Sequence, residues 1–312
     1  MLATLAGGVG AARFLAGLVR VVPPGDVAAI VNTADDDEFH GLYVSPDLDS
    51  VTYTLAGASN VAQGWGLEGE TFATLDALAR YDVPTWFRLG DKDLATHLFR
   101  TARLRGGAPL STVTAEITRA WSVGVRLLPM TDDPVRTRIS VQRGPDRVEE
   151  LAMQRWFVGE RAEPPVVAVR FQGAEQSRPA PGVLEALARA DTIVICPSNP
   201  VISIGPILAV PGVRDALAAR RDRVVAVSPI VGGAPVKGPA DRLMAPLGME
   251  VSCVGVAHAY AEFCGSLVID AVDADRAAEV EAAGVHAVVT DTMMRSPEIA
   301  AALAAETLAA VA

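Results

Sequence analysis

Apolar and polar residues alternate in blocks along the chain, and the first blocks predict a strand, a loop, a helix and a second strand. Residues 2–6 (LATLA) form a short apolar run, and the glycine-rich segment GGVG and the longer run RFLAGLVRVV follow. A second short apolar run, VAAIV, ends in the polar residues NTADD. A βαβ unit of this size begins a parallel sheet with helices on both faces.

The remaining blocks extend the same pattern to the end of the chain. Helical spacing of apolar residues predicts helices over 50–55, 71–80, 91–104 and 110–120, and over the later segments GVLEALARA, VRDALAARR and ADRLMAPLG. Short apolar runs predict further strands at DTIVIC, RVVAV, 251–256, 266–269 and HAVVT. We therefore expect an α/β fold with a Rossmann-like, doubly wound, mostly parallel sheet.

One internal stretch departs from this pattern. After Pro129, apolar and polar residues alternate with a period of two, and a GPD turn interrupts them. This alternation predicts antiparallel strands. We expect residues 131–176 to form a small inserted α+β subdomain, and residues 1–130 and 177–312 to form the Rossmann-like core.

Four of the apolar runs end in small or polar residues, namely GGVG, NTADD, PSNP and SPIVGG. In an open parallel sheet, ligands bind beyond the carboxyl ends of the strands. We therefore expect these four loops to line one crevice.

Composition and charge narrow the class of ligand. The formal net charge is −10, and Lys and Arg do not cluster as a nucleic-acid groove requires. The three cysteines, Cys196, Cys253 and Cys264, lack CxxC spacing, so we expect reduced, buried thiols and a cytoplasmic protein. The first residues show no signal peptide, and prolines interrupt the most apolar stretch, so no membrane segment is expected.

The first loop combines three glycines, Gly7, Gly8 and Gly10, with Arg13 in the next helical turn. Glycines let backbone N–H groups approach an anion, and the positive end of a helix favours its binding. The GK[ST] of a P-loop is absent, and an arginine stands at the third glycine position of GxGxxG. The other interpretation is a glycine turn needed only for tight packing of strand and helix.

Two acidic clusters follow the second strand. NTADD contributes Asp35 and Asp36, of which we favour Asp36, and SPDLDS contributes Asp47 and Asp49 before a helix. Carboxylates at a helix start often only cap it. However, oxygen ligands so close together in sequence suit Mg²⁺, which indicates a metal or substrate role for Asp49.

Polar residues at later strand ends extend the predicted site. Ser198 and Asn199 lie in PSNP, and Lys237 lies in the glycine-rich segment after SPIVGG, so these loops could hold a phosphate or a base. Loop geometry alone is the alternative. In FRLGDKDLATH, Lys92 or Arg88 could neutralise phosphate charge, whereas a packing role is favoured for the lone His97. The serine-nucleophile motif GxSxG is absent.

Taken together, these segments resemble the 2-phospho-L-lactate transferases, whose bacterial members are described as phosphoenolpyruvate transferases of coenzyme F-420 synthesis. The resemblance runs from residue 5 to about residue 244 in family order. The segments that carry it are GGVGAARFLAGL, VNTADD, SPDLDSVTY, GWGLEGETF, LGDKDLATH, LLPMTDDPV, PSNPVISIGPIL and SPIVGGAPVKGPADRLM.

The resemblance implies a reaction and a set of site residues. A guanosine diphosphate-linked donor would pass its enolpyruvyl or lactyl phosphate to the terminal hydroxyl of the deazaflavin Fo, and GMP would leave. The resemblance implies that Asp36 and Asp49 bind Mg²⁺ and that both are catalytic. It also implies that Asp49 and Arg88 bind Fo, and Trp65 could stack on the Fo ring. Family analogy also suggests a homodimer. The donor nucleotide would fall to Gly7, Gly8, Gly10, Arg13, Ser198, Asn199 and Lys237.

Two other functions are compatible with parts of the sequence. A nucleotide-sugar-binding regulator of the gluconeogenesis-factor type shares the GGxG start without catalysing a reaction, but GWGLEGETF and LGDKDLATH favour a transferase with an acceptor site. A nicotinamide-dependent dehydrogenase is disfavoured by Arg13 at the third glycine position and by the lack of a histidine–acid pair for hydride transfer.

Overall fold

The protein is built on a seven-stranded sheet with its amino-terminal strand near the middle. The structure is a computed structural model that describes residues 1–311. In chain order the strands are β1 (Leu2–Ala6), β2 (Val27–Val31), β3 (Asp37–Phe39), β4 (Leu42–Val44), β5 (Arg126–Pro129), β6 (Arg136–Gly144), β7 (Arg147–Ala152), β8 (Val166–Gln172), β9 (Thr192–Ile195), β10 (Val224–Val227), β11 (Ile230–Val231), β12 (Ala234–Pro235), β13 (Ser266–Asp270) and β14 (His286–Thr290).

Twelve α-helices accompany these strands in the described part of the chain. They are α1 (Gly8–Leu18), α2 (Pro46–Leu55), α3 (Ala73–Leu78), α4 (Asp93–Arg105), α5 (Leu110–Ala120), α6 (Val183–Arg189), α7 (Gly205–Ala209), α8 (Val213–Ala218), α9 (Ala240–Met244), α10 (Cys253–Tyr260), α11 (Ala277–Ala282) and α12 (Pro297–Ala309).

The strand order creates a switch point beside β1. The order is β14-β13-β10-β9-β1-β2-β5, and every neighbouring pair is parallel. From β1 the chain first builds β2 and β5 on one side, and later β9, β10, β13 and β14 on the other. The predicted Rossmann-like, doubly wound α/β fold is confirmed, and the loops after β1 and β9 diverge where such folds bind ligands.

Successive side chains of the central strands point into two separate cores. Leu5 of β1 belongs to the cluster that contains Leu187 and Met244, whereas its neighbour Ala6 belongs to the cluster that contains Phe14 and Leu303. Both faces of the strands are therefore covered, which explains why β1, β2, β9 and β10 read as apolar runs rather than as alternating ones.

The alternating stretch after Pro129 forms a three-stranded antiparallel sheet of order β7-β6-β8. Its buried residues Ile139 and Val141, with Trp156 after β7, pack in the same cluster as Leu5 of the central sheet. The backbone N–H of Thr137 also donates to the carbonyl of Ala34, 2.8 Å away. The small sheet thus supports the loop after β2, and the division of the chain into two units stays a prediction.

The strand predicted over 251–256 is wrong, because most of this segment starts α10. The Ser252 side chain accepts a hydrogen bond from the Gly255 N–H and caps the helix. Most of the residues that follow are buried, so the run carries no helical alternation of polar and apolar positions. Short apolar runs of this kind do not distinguish a buried helix from a buried strand.

Other predictions from composition can be compared with the structure directly. Cys196, Cys253 and Cys264 are free and buried, as predicted. Within residues 1–311, no helix has the length and the apolar character needed to cross a membrane.

Helices α1 and α12 pack closely at Gly17, which suggests a test of the fold. A Cβ at this position would lie 2.4 Å from the carbonyl carbon and oxygen of Ala300. We expect Gly17→Ala to lower the free energy of unfolding by about 1–3 kcal/mol, since overpacking against backbone outweighs the gain in helix propensity. Urea unfolding measures the change. The control is Gly25→Ala, where a Cβ meets nothing within 4 Å; equal effects would contradict the close packing.

Candidate active site

A cavity of about 610 Å³ opens at the carboxyl ends of the central strands, around the switch point between β1 and β9. The four strand-end loops named above all contribute to it, through Gly7, Asp35, Ser198 and Ser228 among others. The prediction of one shared crevice is confirmed. Gly8 and Asp49 line this same space.

The glycine loop lies unusually close to its surroundings. A Cβ on Gly7 would lie 2.7 Å from the Ser203 Cβ and 2.9 Å from Asp47 Oδ2, and one on Gly10 would lie 2.2 Å from the Pro197 carbonyl oxygen. Gly8 has a φ of +71°, a conformation that favours glycine. Gly7 and Gly10 thus serve close packing, one of the two interpretations drawn from the sequence, and that packing brings the first turn of α1 against the loop after β9.

Two cations lie on the same wall as the glycine loop. Arg13 and Lys237 line the cavity, and neither forms an ion pair within residues 1–311. Partial burial, with the charge of Arg13, lowers the pKa of Lys237. Two neighbouring cations without a protein carboxylate make this wall attractive to an anion.

The PSNP loop lies beside this wall, but its side chains are partly engaged. Ser198 Oγ donates to the Gly7 carbonyl over 2.9 Å. Asn199 Oδ1 accepts from the N–H groups of Val201 and Ile202 at 2.9 and 3.2 Å. The loop is therefore held rigidly by its own polar groups. The amide nitrogen of Asn199 is the part of that side chain left for a ligand.

Beside the glycine loop, two buried carboxylates share one amide donor, and one of them, Asp47, also accepts a hydrogen bond from the Gly8 backbone. Asn32 Nδ2 donates to Asp35 Oδ2 at 3.1 Å and to Asp47 Oδ2 at 2.9 Å. Burial and the charge of Asp47 raise the pKa of Asp35 well above its usual value, and burial raises that of Asp47 to about 6. Asp35 Oδ1 is buried and has no hydrogen-bond partner within residues 1–311. Both residues line the cavity, so this pair favours a cation between its oxygens.

Asp36, favoured from the sequence, lies behind the cavity wall rather than on it. Ser45 Oγ donates to Asp36 Oδ2 over 2.8 Å. Burial raises the pKa of Asp36 to about 7, although the positive charges of Arg136 and Arg100 oppose the increase. The structure therefore brings Asp35 to the cavity and turns Asp36 toward arginines. The role of Asp36 as a metal ligand stays a prediction.

Asp49 lines the cavity from α2, and a buried group on α4 surrounds it. Arg100 Nη1 donates to Asp49 Oδ2 over 3.1 Å, and its Nη2 binds Asp49 Oδ1. His97 Nδ1 is 3.8 Å from Asp49 Oδ2, and its Nε2 is 3.0 Å from Asp93 Oδ2. Asp49, Asp93 and His97 offer three ligand atoms within 4.8 Å of one another, so this cluster is compatible with a divalent metal.

Large apolar side chains line part of the cavity, namely Trp65, Trp86, Phe87, Met153, Phe157, Val158, Met293 and Met294. We call the part formed by Trp65, Trp86 and Phe87 its aromatic end. Trp65 is 40% exposed, and Arg88 contributes a cation whose guanidinium lies 4.1 Å from the centre of the Phe72 ring. An aromatic ligand can stack here while its polar part faces the carboxylates.

Sequence reasoning named Asp47 without choosing it as a site residue, did not consider Arg100, and favoured packing for His97. The spacing of these residues on α2 and α4 carried a signal. Asp47 and Asp49 lie on one helix two residues apart, and Asp93, His97 and Arg100 have the spacing of one helix face. The plain interpretation of Asp47 and Asp49 was capping of α2, yet their carboxylates accept hydrogen bonds from Asn32 and Arg100.

Fold and cavity together define a doubly wound α/β protein with a ligand site at its topological switch point. The 2-phospho-L-lactate transferase CofD family matches residues 2–308, and the chain belongs to this family. It is 48% identical over 306 residues to the phosphoenolpyruvate transferase of Streptomyces coelicolor, with 97% of this chain and 96% of the relative covered. The protein is therefore an enzyme, a transferase of coenzyme F-420 biosynthesis.

Further relatives agree with this placement. A phosphoenolpyruvate transferase of Mycobacterium tuberculosis is 42% identical over 281 residues, with 85% of each chain covered. The crystal structure of a UPF0052 family protein from Bacillus halodurans matches with a TM-score of 0.64 and 18% identity, covering 98% of both chains. The latter likeness shows the fold alone.

The raised pKa of Asp36 predicts a pH-dependent stability. The pKa of Asp36 is 3.8 in the unfolded chain and about 7 in the folded protein. The Asp36 carboxyl group therefore contributes fully to the free energy of unfolding below about pH 4, and this contribution is lost as the pH rises through 7. In Asp36→Asn no group ionises at this position, so the variant does not lose stability in this way. We expect the unfolding free energy of the variant, relative to the wild type, to increase by about 1–4 kcal/mol between pH 4 and pH 7.

Urea unfolding at both pH values, in buffer with a chelator, measures this difference. Asp37→Asn is the matched control, because the neighbouring side chain is only partly buried. A relative stability of Asp36→Asn that is the same at both pH values would show that the carboxyl group is not desolvated as described.

Proposed function

We propose that the protein transfers a phosphoenolpyruvyl or 2-phospho-L-lactyl group from a guanosine diphosphate-linked donor to the deazaflavin Fo, releasing GMP. The observation that carries the proposal is that one cavity is lined both by the cations Arg13 and Lys237 and by the carboxylates of Asp35, Asp47 and Asp49. The aromatic end of the same cavity provides room for a flat acceptor. Family membership supports the transfer of such a group.

The donor nucleotide is assigned to the cationic wall. The N-terminus of α1 lies on the cavity at Gly7 and Gly8, and the positive end of this helix attracts phosphate, although the Gly8 backbone already donates to Asp47. Arg13 and Lys237 have positive charge left for the diphosphate. Ser198 and Asn199 lie on this wall, and Gly10 lets α1 approach the loop that carries them. A nucleoside diphosphate fits this set because its two phosphates need several separate donors.

The acceptor is assigned to the aromatic end. Trp65, Trp86 and Phe87 can stack on or border a flat deazaflavin ring, and Arg88 can meet its polar edge or side chain. With the ring held there, the hydroxyl chain extends toward Asp49. The carboxylate of Asp49 can then accept a hydrogen bond from the attacking hydroxyl.

The cavity also fits a divalent metal. The chemistry of Asp35 and Asp47 is that of a hard-cation site: two buried carboxylates with raised pKa values, and one oxygen without a partner. Bound there, Mg²⁺ would neutralise diphosphate oxygens as a Lewis acid. We favour this pair over Asp36 and Asp49, because both of the latter carboxylates already face guanidinium groups.

The chain itself contributes alignment and charge. Phosphoryl-type transfer requires the attacking and leaving oxygens to lie in line, with the charge on the phosphorus group neutralised. Arg13 and Lys237 hold the leaving GMP phosphate, and Asp49 orients the incoming hydroxyl. The homodimer and the cytoplasmic location stay predictions.

Mass spectrometry of the products tests the proposal. We expect the purified protein, given Fo, Mg²⁺ and either guanosine-linked donor, to convert Fo to the corresponding phosphodiester and to release one GMP per product. Lys237→Ala should raise the KM for the donor by about 10- to 100-fold, since a charged hydrogen bond to phosphate contributes about 1.5–3 kcal/mol. The matched control is Arg242→Ala, because that arginine donates to the Ala162 carbonyl and lies outside the cavity.

The outcome against the proposal is equally clear. If neither donor yields a phosphodiester of Fo while the nucleotide still binds, the protein does not catalyse this transfer.

The metal assignment is tested by thermal melting with and without Mg²⁺. We expect Mg²⁺ to raise the Tm of the wild type and of Asp36→Asn, and this increase to disappear in Asp35→Asn and Asp47→Asn. A ligand at 100 times its Kd stabilises a fold by about 2.7 kcal/mol, so the shift is measurable. An increase that disappears in Asp93→Asn while Asp35→Asn keeps it would assign the ion to the cluster of Asp49, Asp93 and His97.

A further inference from the structure

One face of α4 carries three ionisable side chains that are almost fully buried beside the cavity. Asp93, His97 and Arg100 have exposed fractions of 9%, 1% and 1%. Burial of this much charge is costly, so each group needs a partner. Tyr53, from α2, donates its hydroxyl proton to Asp93 Oδ1 over 2.5 Å.

These groups form a continuous chain of contacts that ends at the cavity wall. Tyr53 contacts Asp93, Asp93 lies 3.0 Å from His97 Nε2, and His97 Nδ1 lies 3.3 Å from Arg100 Nη1. Arg100 is the last residue of this chain of contacts and donates hydrogen bonds to both carboxylate oxygens of Asp49. Of these residues, Arg100 alone does not line the cavity.

The nitrogen atoms of His97 have defined roles in this chain. A guanidinium only donates hydrogen bonds, so His97 Nδ1 must accept from Arg100, and the ring proton belongs on Nε2. His97 Nε2 lies 3.0 Å from Asp93 Oδ2 but lacks the alignment of a hydrogen bond, so Asp93 acts on the ring through its charge. Nδ1 is thereby unavailable as a base for a substrate. His97 instead fixes the rotation of the guanidinium plane.

The Arg100–Asp49 contact leaves the Asp49 carboxylate able to accept a hydrogen bond from a neutral hydroxyl group. A carboxylate offers about four lone pairs, and a bidentate arginine uses one on each oxygen. One lone pair on each oxygen stays free, and Asp49 lines the cavity. Because the guanidinium already neutralises this carboxylate, a dication gains little there, whereas a neutral hydroxyl can still donate to it.

We infer that Arg100, oriented by His97 and Asp93, is a positioning residue that fixes the Asp49 carboxylate to receive the attacking hydroxyl of the acceptor. This inference rests on the proposed function. In the transfer, the acceptor oxygen forms a bond to phosphorus while the bond from phosphorus to the GMP oxygen breaks. The electron pair of the broken bond leaves with GMP. The hydroxyl proton passes to Asp49 and from there to solvent.

The test compares four variants on α4 by steady-state kinetics, with Fo, donor and Mg²⁺ each varied in turn. Arg100→Lys keeps the charge and removes the planar fork. In His97→Asn, the amide oxygen takes the position of Nδ1 and can accept a hydrogen bond from Arg100. In His97→Gln, the longer side chain places its amide group near the position of Nε2. Leu98→Ala is the control, since Leu98 is 57% exposed on the same helix. Thermal melting and Fo titration confirm that each variant is folded and binds the acceptor.

We expect Arg100→Lys to lower kcat by about 100-fold, the size of effect that follows from a misplacement of about 1 Å. The KM for the donor and the Kd for Fo should change by less than about threefold, because the walls that bind them are intact. His97→Asn should retain more kcat than His97→Gln, since it alone can still accept from Arg100. Leu98→Ala should match the wild type.

Two results would overturn the inference. The first is a folded Arg100→Lys with kcat within about threefold of the wild type. The second is a higher kcat for His97→Gln than for His97→Asn, which decides the matter even if Arg100→Lys does not fold. Failure of the wild type itself to turn over Fo would refute the proposed function instead, so the two failures are distinguishable.

Discussion

The close packing of the glycine loop, against side chains at Gly7 and against backbone at Gly10, is the constraint on which the site depends. With any larger residue at Gly10, α1 could not begin against the carbonyl of Pro197, and with one at Gly7, Asp47 could not lie against the loop. Because these contacts join the end of β1, the loop after β9 and α2, they hold the glycine loop and the Asp47 carboxylate together at the cavity.

The cations of the site differ in their partners. Arg13 and Lys237 line the cavity without acidic partners, whereas Arg100 and Arg136 lie outside its lining and offset buried carboxylates. Positive charge is therefore left in the cavity of a protein whose net charge is −10. The partners also explain why adjacent aspartates differ: Asp35 is left facing the cavity, and Asp36 faces guanidinium groups.

Much of the fold followed from the sequence, because buried parallel strands and amphipathic helices have distinct periodicities. The strand-end loops, and with them the crevice, could be predicted because parallel strands end on one side of a sheet. Residues 251–256 were assigned wrongly because a fully buried helix loses its polar face. The choice between Asp35 and Asp36 depended on the position of Arg136, a residue distant in sequence. Similarly, nothing local to SPDLDS indicated that Arg100 would bind Asp49, so pairing across α2 and α4 was beyond sequence reasoning.

The strand order has a consequence for biosynthesis. Residues that line the cavity span Gly7 to Arg295, and the central strand β1 must await β9, which begins at Thr192, for its second neighbour. A nascent chain leaving the ribosome therefore exposes its glycine loop for most of translation without the segments that complete the cavity. Parallel pairings between such distant segments form slowly, so one edge of β1 stays unpaired until β9 has been synthesised.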